Sequence, residues 1–296
     1  MTETETPWGR ILSSALAGAG LPPIAAQARP IRIGENAIFR LPGIIARVSR
    51  QGQARAAQRE VDVARWLANS DFPAVRALPV KQPVLVEGRA VSFWEPLPKH
   101  SPGSVLDIAR LLRELHALPI PDLELGKLDP LVRLPERIAD ASGHLPEDDL
   151  DWLSQRARRL RQEWDHLPAG RPWRVVHGDA WTGNVARCAD GSIALMDLER
   201  CSLGPPEWDL VSTAIKARTV SWLSLEDYAD FVEAYGGGEV STWSGFELMR
   251  DIRELRMTTY FAQHAEKPAM RAEAQLRIDC LRGRRGDRPW PWTPAT

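Results

Sequence analysis

The stretch Val175–Leu210 concentrates residue types that could do chemistry. Two short apolar pieces, Val185–Arg187 and Ile193–Met196, flank Asp190-Gly191, a dipeptide favoured in two-residue hairpin turns. A hairpin centred on that dipeptide sets Asn184 opposite Asp197 at its open end, with Cβ atoms roughly 5 Å apart. A carboxamide and a carboxylate so placed offer hard oxygen donors. These suit Mg²⁺, which takes few protein ligands and shares phosphate oxygens and water. Asp179 stands five residues before Asn184, in the loop that enters the hairpin. One acid is thereby left to act as a base beside a metal site. Metal on the phosphates and a carboxylate on the attacking hydroxyl are what phosphoryl transfer requires. Taken singly, Asp179 and Asn184 also read as turn formers and Asp197 as a strand end. The combination is what carries information.

These residues need a scaffold. An apolar patch, Ile11 to Ala19, predicts a short amphipathic helix, and a Pro-rich stretch from Leu21 to Pro30 follows. Ile31–Ile33, Ala37–Leu41 and Ile44–Val48 are short strand-like pieces broken by Gly34 and by Pro42-Gly43, the pattern of a small antiparallel sheet. Ala54 to Ala68 has helical period, with Ala57, Val61, Ala64 and Ala68 on one face. Ala90 to Trp94 is a further strand, ended by Glu95-Pro96. Ser104 with Asp107 makes a capping box for a helix that Pro119 ends. Helical segments follow at Leu150–Trp164, Leu225–Tyr235 and Gly245–His264. The expectation is an α+β chain of two lobes: residues 1–98 as a small sheet-rich nucleotide-binding lobe, and 99–296 as a larger helical lobe for catalysis and substrate.

Composition narrows the classes. The chain has 296 residues and a formal net charge of −1, which gives no reason to expect nucleic acid as a partner. No apolar run approaches the roughly 20 residues of a membrane span. The segment Met1 to Pro7 is acidic, unlike a secretory signal. The three cysteines, Cys188, Cys201 and Cys280, lack metal-type spacing and read as free thiols of a reducing, cytoplasmic compartment. The tail Arg282 to Thr296, basic and Pro-rich, is expected to be a solvated or loosely docked end.

His177-Gly178-Asp179, then Asn184, Asp197 and Glu199, and later Gly204-Pro205-Pro206-Glu207-Trp208-Asp209-Leu210, resemble the signature of the aminoglycoside phosphotransferase and choline kinase family. The similarity runs from about Ile33 to Leu281. It implies a two-lobed, protein-kinase-like fold with the active site in the cleft, and ATP with Mg²⁺ as cofactors. By it, Asp179 orients and deprotonates the acceptor hydroxyl, Asn184 and Asp197 hold Mg²⁺, and His177 and Asp209 support the catalytic loop. Glu199 belongs either to the metal shell or substrate, or to an ion pair with Arg200 or Arg187. A protein kinase fits less well, because the loop from Asp197 to Pro206 is short and lacks D-F-G.

A kinase lobe also needs a cation on the nucleotide phosphates, usually a strand Lys paired with a helix Glu. Arg47 occupies that strand position here, with Glu60 on the next helix as partner; guanidinium groups bind phosphate oxygens well. Gly34-Glu35-Asn36-Ala37 stands where the family covers the phosphates. By order along the chain, Phe93 to Leu97 is the adenine hinge, so Glu95 and Leu97 join the nucleotide set. For the acceptor, Glu247, Asp251 and Glu254 share one face of the last predicted helix. They either hold a cationic acceptor or form a solvated stripe paired with Arg250 and Arg253. Trp181, beside the catalytic loop, could stack on a ring or cation, as could Trp222 and Trp243. The leading expectation is a kinase for an aminoglycoside-like antibiotic or amino sugar. The others are a metabolic kinase for choline, ethanolamine or homoserine, and a silent nucleotide-binding module.

Overall fold

The computed structural model describes residues 7–34 and 36–294. The acidic start before Pro7 and Glu35 of the predicted phosphate loop lie outside the described residues. The chain forms two compact units: Met1–Gly126 with Thr182–Cys201, and Lys127–Trp181 with Ser202–Thr296. Sequence reading divided the lobes between residues 98 and 99. By packing, the first unit also takes in the following helix and the hairpin that carries Asn184 and Asp197.

The first unit opens with α1 (Pro7–Gly18) and five strands: β1 (Arg29–Ile33), β2 (Ala37–Leu41), β3 (Ile44–Val48), β4 (Val84–Val86) and β5 (Arg89–Trp94). They form an antiparallel sheet of order β1-β2-β3-β5-β4. In β3, Ile44, Ala46 and Val48 are buried while Ile45 and Arg47 alternate with them. The period of two decides the faces. Ile44, Ala46 and Val48 join Phe39, Phe93 and the α1 side chains Ile11, Leu12, Ala15 and Leu16 in one core. Arg47 must therefore point to the other face. There the helix α2 (Ala54–Asn69) presents Glu60 on its buried stripe with Ala57, Val61 and Ala64.

After β6 (His100–Pro102) comes α3 (Val105–Ala117). Ser104 Oγ accepts the Asp107 N–H, and the Asp107 carboxylate accepts the Ser104 N–H at 2.8 Å, so the predicted capping box is formed. The same carboxylate takes Arg187 Nε at 3.0 Å. Arg187 lies on β8 (Val185–Cys188), which pairs with β6 on one side and β9 (Ile193–Leu195) on the other. The helix cap thus anchors the hairpin.

The second unit has a two-stranded ladder of β7 (Arg174–Val176) and β10 (Ser202–Gly204). Around it stand α4 (Leu134–Asp140), α5 (Glu147–Trp164), α6 (Glu207–Arg218), α7 (Leu225–Tyr235), α8 (Phe246–Ala262) and α9 (Pro268–Leu281). Helix α8 packs against α4, α5, α6 and α9. Sequence reading left α4, α6 and α9 unassigned. In α6 nearly every residue is buried, from Glu207 to Ile215, so no amphipathic period marks it.

The tail corrects an expectation. Trp290 and Trp292 are buried, stack at 5.1 Å, and join Val220 and Cys280 in a small core. Trp222 Nε1 donates to the Trp292 carbonyl at 2.8 Å, and Arg277 Nη2 to that of Thr293. Two large aromatic surfaces outweigh the polar composition that suggested a solvated end. Residues 295–296 lie outside the described residues.

Candidate active site

The hairpin that carries the oxygen donors does not have the expected register. Val185 pairs with Leu195, Ala186 with Ala194 and Arg187 with Ile193. The loop holds three residues, Ala189-Asp190-Gly191, closed by Cys188 N–H to the Ser192 carbonyl at 2.8 Å. Gly191 takes φ 86°, the left-handed position at which a three-residue loop ends. The Asp190 carboxylate caps the loop by accepting the Ser192 N–H at 2.9 Å. Met196, not Asp197, therefore faces Asn184, and its N–H donates to the Asn184 carbonyl at 2.8 Å. Asp197 follows immediately in a left-handed conformation, φ 57°. A one-residue slip alone would send its side chain to the opposite face. The backbone turn at Asp197 redirects it instead.

In the same unit Arg47 gathers three carboxylates. Its Nη1 donates to Glu60 Oε1 at 2.5 Å and lies 3.5 Å from Asp197 Oδ1, while Nη2 donates to Glu199. Glu199 thus pairs with Arg47. It also accepts from Asn36 Nδ2 at 3.3 Å, which ties the predicted phosphate loop to this cluster. Burial, with Asp197 and Glu199 adding to it and Arg47 opposing, pushes the Glu60 carboxyl up to about 8. Asp197 and Glu199 share the one guanidinium with Glu60, and a divalent cation would offset their negative charge. Asn184 is buried and the Asp197 side chain is 41% exposed. The oxygen chemistry and the charge both fit Mg²⁺.

At the predicted hinge, the Glu95 N–H donates to the Arg76 carbonyl at 2.9 Å, so that donor is already engaged. Leu97 packs with Ala186, Cys188, Ala194 and Met196 in an apolar patch. Cys188, Cys201 and Cys280 are buried and form no disulfide among the described residues.

The second unit holds the catalytic loop after β7. Asp209, fully buried, accepts the His177 N–H at 2.7 Å and the Gly178 N–H at 2.9 Å. Gly178 has φ 82°, a conformation that other residues enter with strain. Trp208 Nε1 donates to the Gly178 carbonyl at 2.9 Å, and the Asp179 N–H reaches Nδ1 of buried His177 at 3.3 Å. The first turn of α6 thus clamps the loop and leaves the Asp179 side chain 41% exposed. Arg253 of α8 lies across the Trp208 ring with Nη1 3.9 Å from Asp179 Oδ1. Lys216, near the end of α6, stands over the Trp181 ring at 5.5 Å. Sequence reading missed Lys216 as a site residue and treated Arg253 only as a partner of the acidic stripe. One signal was present: Asp209 and Lys216 are seven residues apart, two helical turns, and so share a face.

The acidic stripe is answered from within the protein. Glu254 is fully buried and accepts from Arg288 Nη2 at 2.6 Å and from Thr219 Oγ1 at 2.8 Å. Asp251 pairs with Arg156, and with Arg250 at 3.1 Å. Glu247, 80% exposed, lies 3.6 Å from Arg250. Glu254 has no surface to offer an acceptor, which corrects its place among the substrate candidates. Trp222 and Trp243 also have structural partners, since Trp243 Nε1 donates to the Ala169 carbonyl at 2.9 Å.

Comparisons with known proteins speak to family and fold. No curated protein matches the chain significantly in sequence. Among solved structures, the aminoglycoside phosphotransferase APH(3'')-Id from Streptomyces rimosus superposes with a TM-score of 0.59 at 20% identity, covering 82% of this chain and 95% of that one. Choline kinase LicA from Streptococcus pneumoniae gives 0.63 at 12% identity, covering 93% and 98%. The amicoumacin kinase hAmiN, in complex with AMP-PNP, Ca²⁺ and Ami, gives 0.66 at 14% identity, covering 90% of each chain. At such identities these structures speak for the fold, which is kinase-like. The model of the phosphotransferase enzyme family matches residues 29–250, a span that includes Arg47, the catalytic loop, the hairpin and α6. On that match the chain belongs to the phosphotransferase enzyme family and is an enzyme, a small-molecule kinase by fold and family together.

Proposed function

We propose that the protein transfers the γ-phosphoryl group of ATP, with Mg²⁺, to a hydroxyl of a small molecule. The observation that carries this reading is the catalytic loop. A buried Asp209 fixes two consecutive backbone N–H groups, and the loop presents a half-exposed Asp179. An acid held on a rigid loop yet open to solvent is suited to general-base work. Asp179 accepts the proton of the acceptor hydroxyl as its oxygen bonds to the γ-phosphorus. The bond from that phosphorus to the bridging oxygen breaks, ADP leaves, and the proton is released afterwards.

Arg47, held by Glu60, is the cation for the phosphates, and Asn36 and the neighbouring loop backbone cover them. Glu95 and Leu97 border the base, and Leu97 with its apolar neighbours offers it an apolar contact. Asn184 and Asp197 would hold Mg²⁺, which when bound neutralises phosphate oxygens. A lobe boundary near residues 98–99 and a cytoplasmic setting are part of the same reading. Free, buried thiols suit a reducing compartment. Acceptors of the family type, aminoglycoside-like antibiotics or amino sugars, and then choline, ethanolamine or homoserine, form the first panel to test.

The test measures ADP release from Mg²⁺-ATP with that panel, and runs Asp179→Ala in parallel. Acceptor-dependent release that falls about 10²–10⁴-fold in the variant, with ATP binding unchanged, is the expected outcome. A protein that does not bind ATP would overturn the reading.

A further inference from the structure

Lys216 is a cation near the catalytic loop that makes no close ion pair among the described residues. Among the described residues, no acidic oxygen lies within 4.0 Å of its Nζ, and its one close partner is the Trp181 ring at 5.5 Å. It is half-buried on α6, where an ammonium is not freely hydrated. Burial first, then the charge of Arg253, pull it down to about 8, while Asp179 acts in the other direction. Trp181, two residues after Asp179, is 46% exposed. Arg253 adds a second cation, 3.9 Å from Asp179 Oδ1. Arg253 thus stands beside the Asp179 carboxylate, and Lys216 is near enough to feel its charge. The three acids expected to attract a cationic acceptor are meanwhile taken by Arg156, Arg250 and Arg288.

We propose that Lys216 and Trp181 form an acceptor subsite for an alcohol that carries an anionic group, a carboxylate or a phosphate ester, close to the reacting hydroxyl. This rests on the phosphotransferase reading above and names its substrate class. Lys216 binds the anionic oxygens, Trp181 covers the carbon skeleton, and the hydroxyl is left to Asp179. A polycationic acceptor meets repulsion at the same place. Putting one charge-assisted hydrogen bond on a half-desolvated ammonium corresponds to about tenfold or more in affinity.

The test uses four three-carbon alcohols that differ at one position, which is anionic, neutral or cationic: glycerate, glycerol 3-phosphate, glycerol and 3-amino-1,2-propanediol. Binding to the full chain is followed by calorimetry, and ADP release is measured with each in the presence of Mg²⁺-ATP. The anionic pair should bind at least about tenfold more tightly than the neutral and cationic probes. Comparing glycerate with glycerol 3-phosphate separates carboxylate from phosphate recognition. Lys216→Met should abolish that preference by raising Kd and KM for the anionic probes alone, and Lys216→Arg should restore most of it. Equal binding of all four probes, or preference for the amine, would overturn the inference. So would a Lys216→Met variant that loses turnover equally with every acceptor, since that places Lys216 on the transferred phosphoryl group. Phosphorylation of cationic acceptors alone would sink this inference but leave the phosphotransferase intact; absence of ATP binding would remove the phosphotransferase reading itself.

Discussion

Replacing Arg288 by methionine keeps most of the side chain's length but removes the cation that answers the buried Glu254 carboxylate. That carboxylate has no exposed surface and accepts Arg288 Nε at 2.9 Å and Nη2 at 2.6 Å. After the substitution it would keep Thr219 Oγ1 at 2.8 Å and Arg250 Nε at 3.7 Å. Breaking a buried pair costs about 3–5 kcal/mol, because a charge is left without its counterpart. Arg288 is itself 31% exposed and Arg250 remains nearby, so the lower end, about 3 kcal/mol, is expected. Burial already raises the Glu254 pKa, and protonation would limit the loss further at low pH. Arg288→Met combined with Glu254→Met removes both charges and should return to within about 1 kcal/mol of the parent. Urea unfolding followed by circular dichroism gives both numbers if the slope is unchanged. Turnover per folded molecule should stay at the parent value in both variants, since Glu254 touches no acceptor. A single variant within about 0.5 kcal/mol of the parent, or a double variant no better than the single, would refute the structural role assigned to the docked tail.

Two further substitutions probe the site. Asp209→Asn can offer one oxygen where the carboxylate now accepts N–H groups from both His177 and Gly178. A buried donor is left unpaired at about 1–3 kcal/mol, and the loop carrying Asp179 should shift, with kcat falling roughly 10²-fold and ATP affinity nearly constant; kcat within threefold of the parent would contradict the clamp. Arg47→Met removes the guanidinium shared by Glu60, Asp197 and Glu199. ATP affinity, measured by calorimetry without acceptor, should weaken at least about tenfold, and an unchanged Kd would mean that Arg47 serves the fold alone.

Much of the architecture was legible from local pattern. β2 and β3 begin and end where alternation predicts them, because a period of two is written residue by residue and Pro42-Gly43 breaks it in one place. The Ser104–Asp107 capping box and α7 were equally local, resting on residues three or four apart. The pairing of Arg47 with Glu60 was expected from the strand cation and helix acid of a kinase lobe, and the faces of β3 and α2 allow it. α6 escaped because its burial on all sides erases the helical period.

The sequence by itself determined the chemistry available: a D-x₄-N loop, a hairpin with an acid at its end and an arginine on the third strand. Such features depend on neighbours within a few residues. Only the tertiary structure decided which charges are answered. Glu254 looked like a ligand until Arg288, 34 residues on, was found beside it. The hairpin register turned on whether two or three residues close the loop, a choice that Gly191 at positive φ settles. Lys216 became notable only once its side chain was found over the Trp181 ring with no close ion pair among the described residues. Charge compensation depends on distance in space, and a chain spaces its partners without regard to their order.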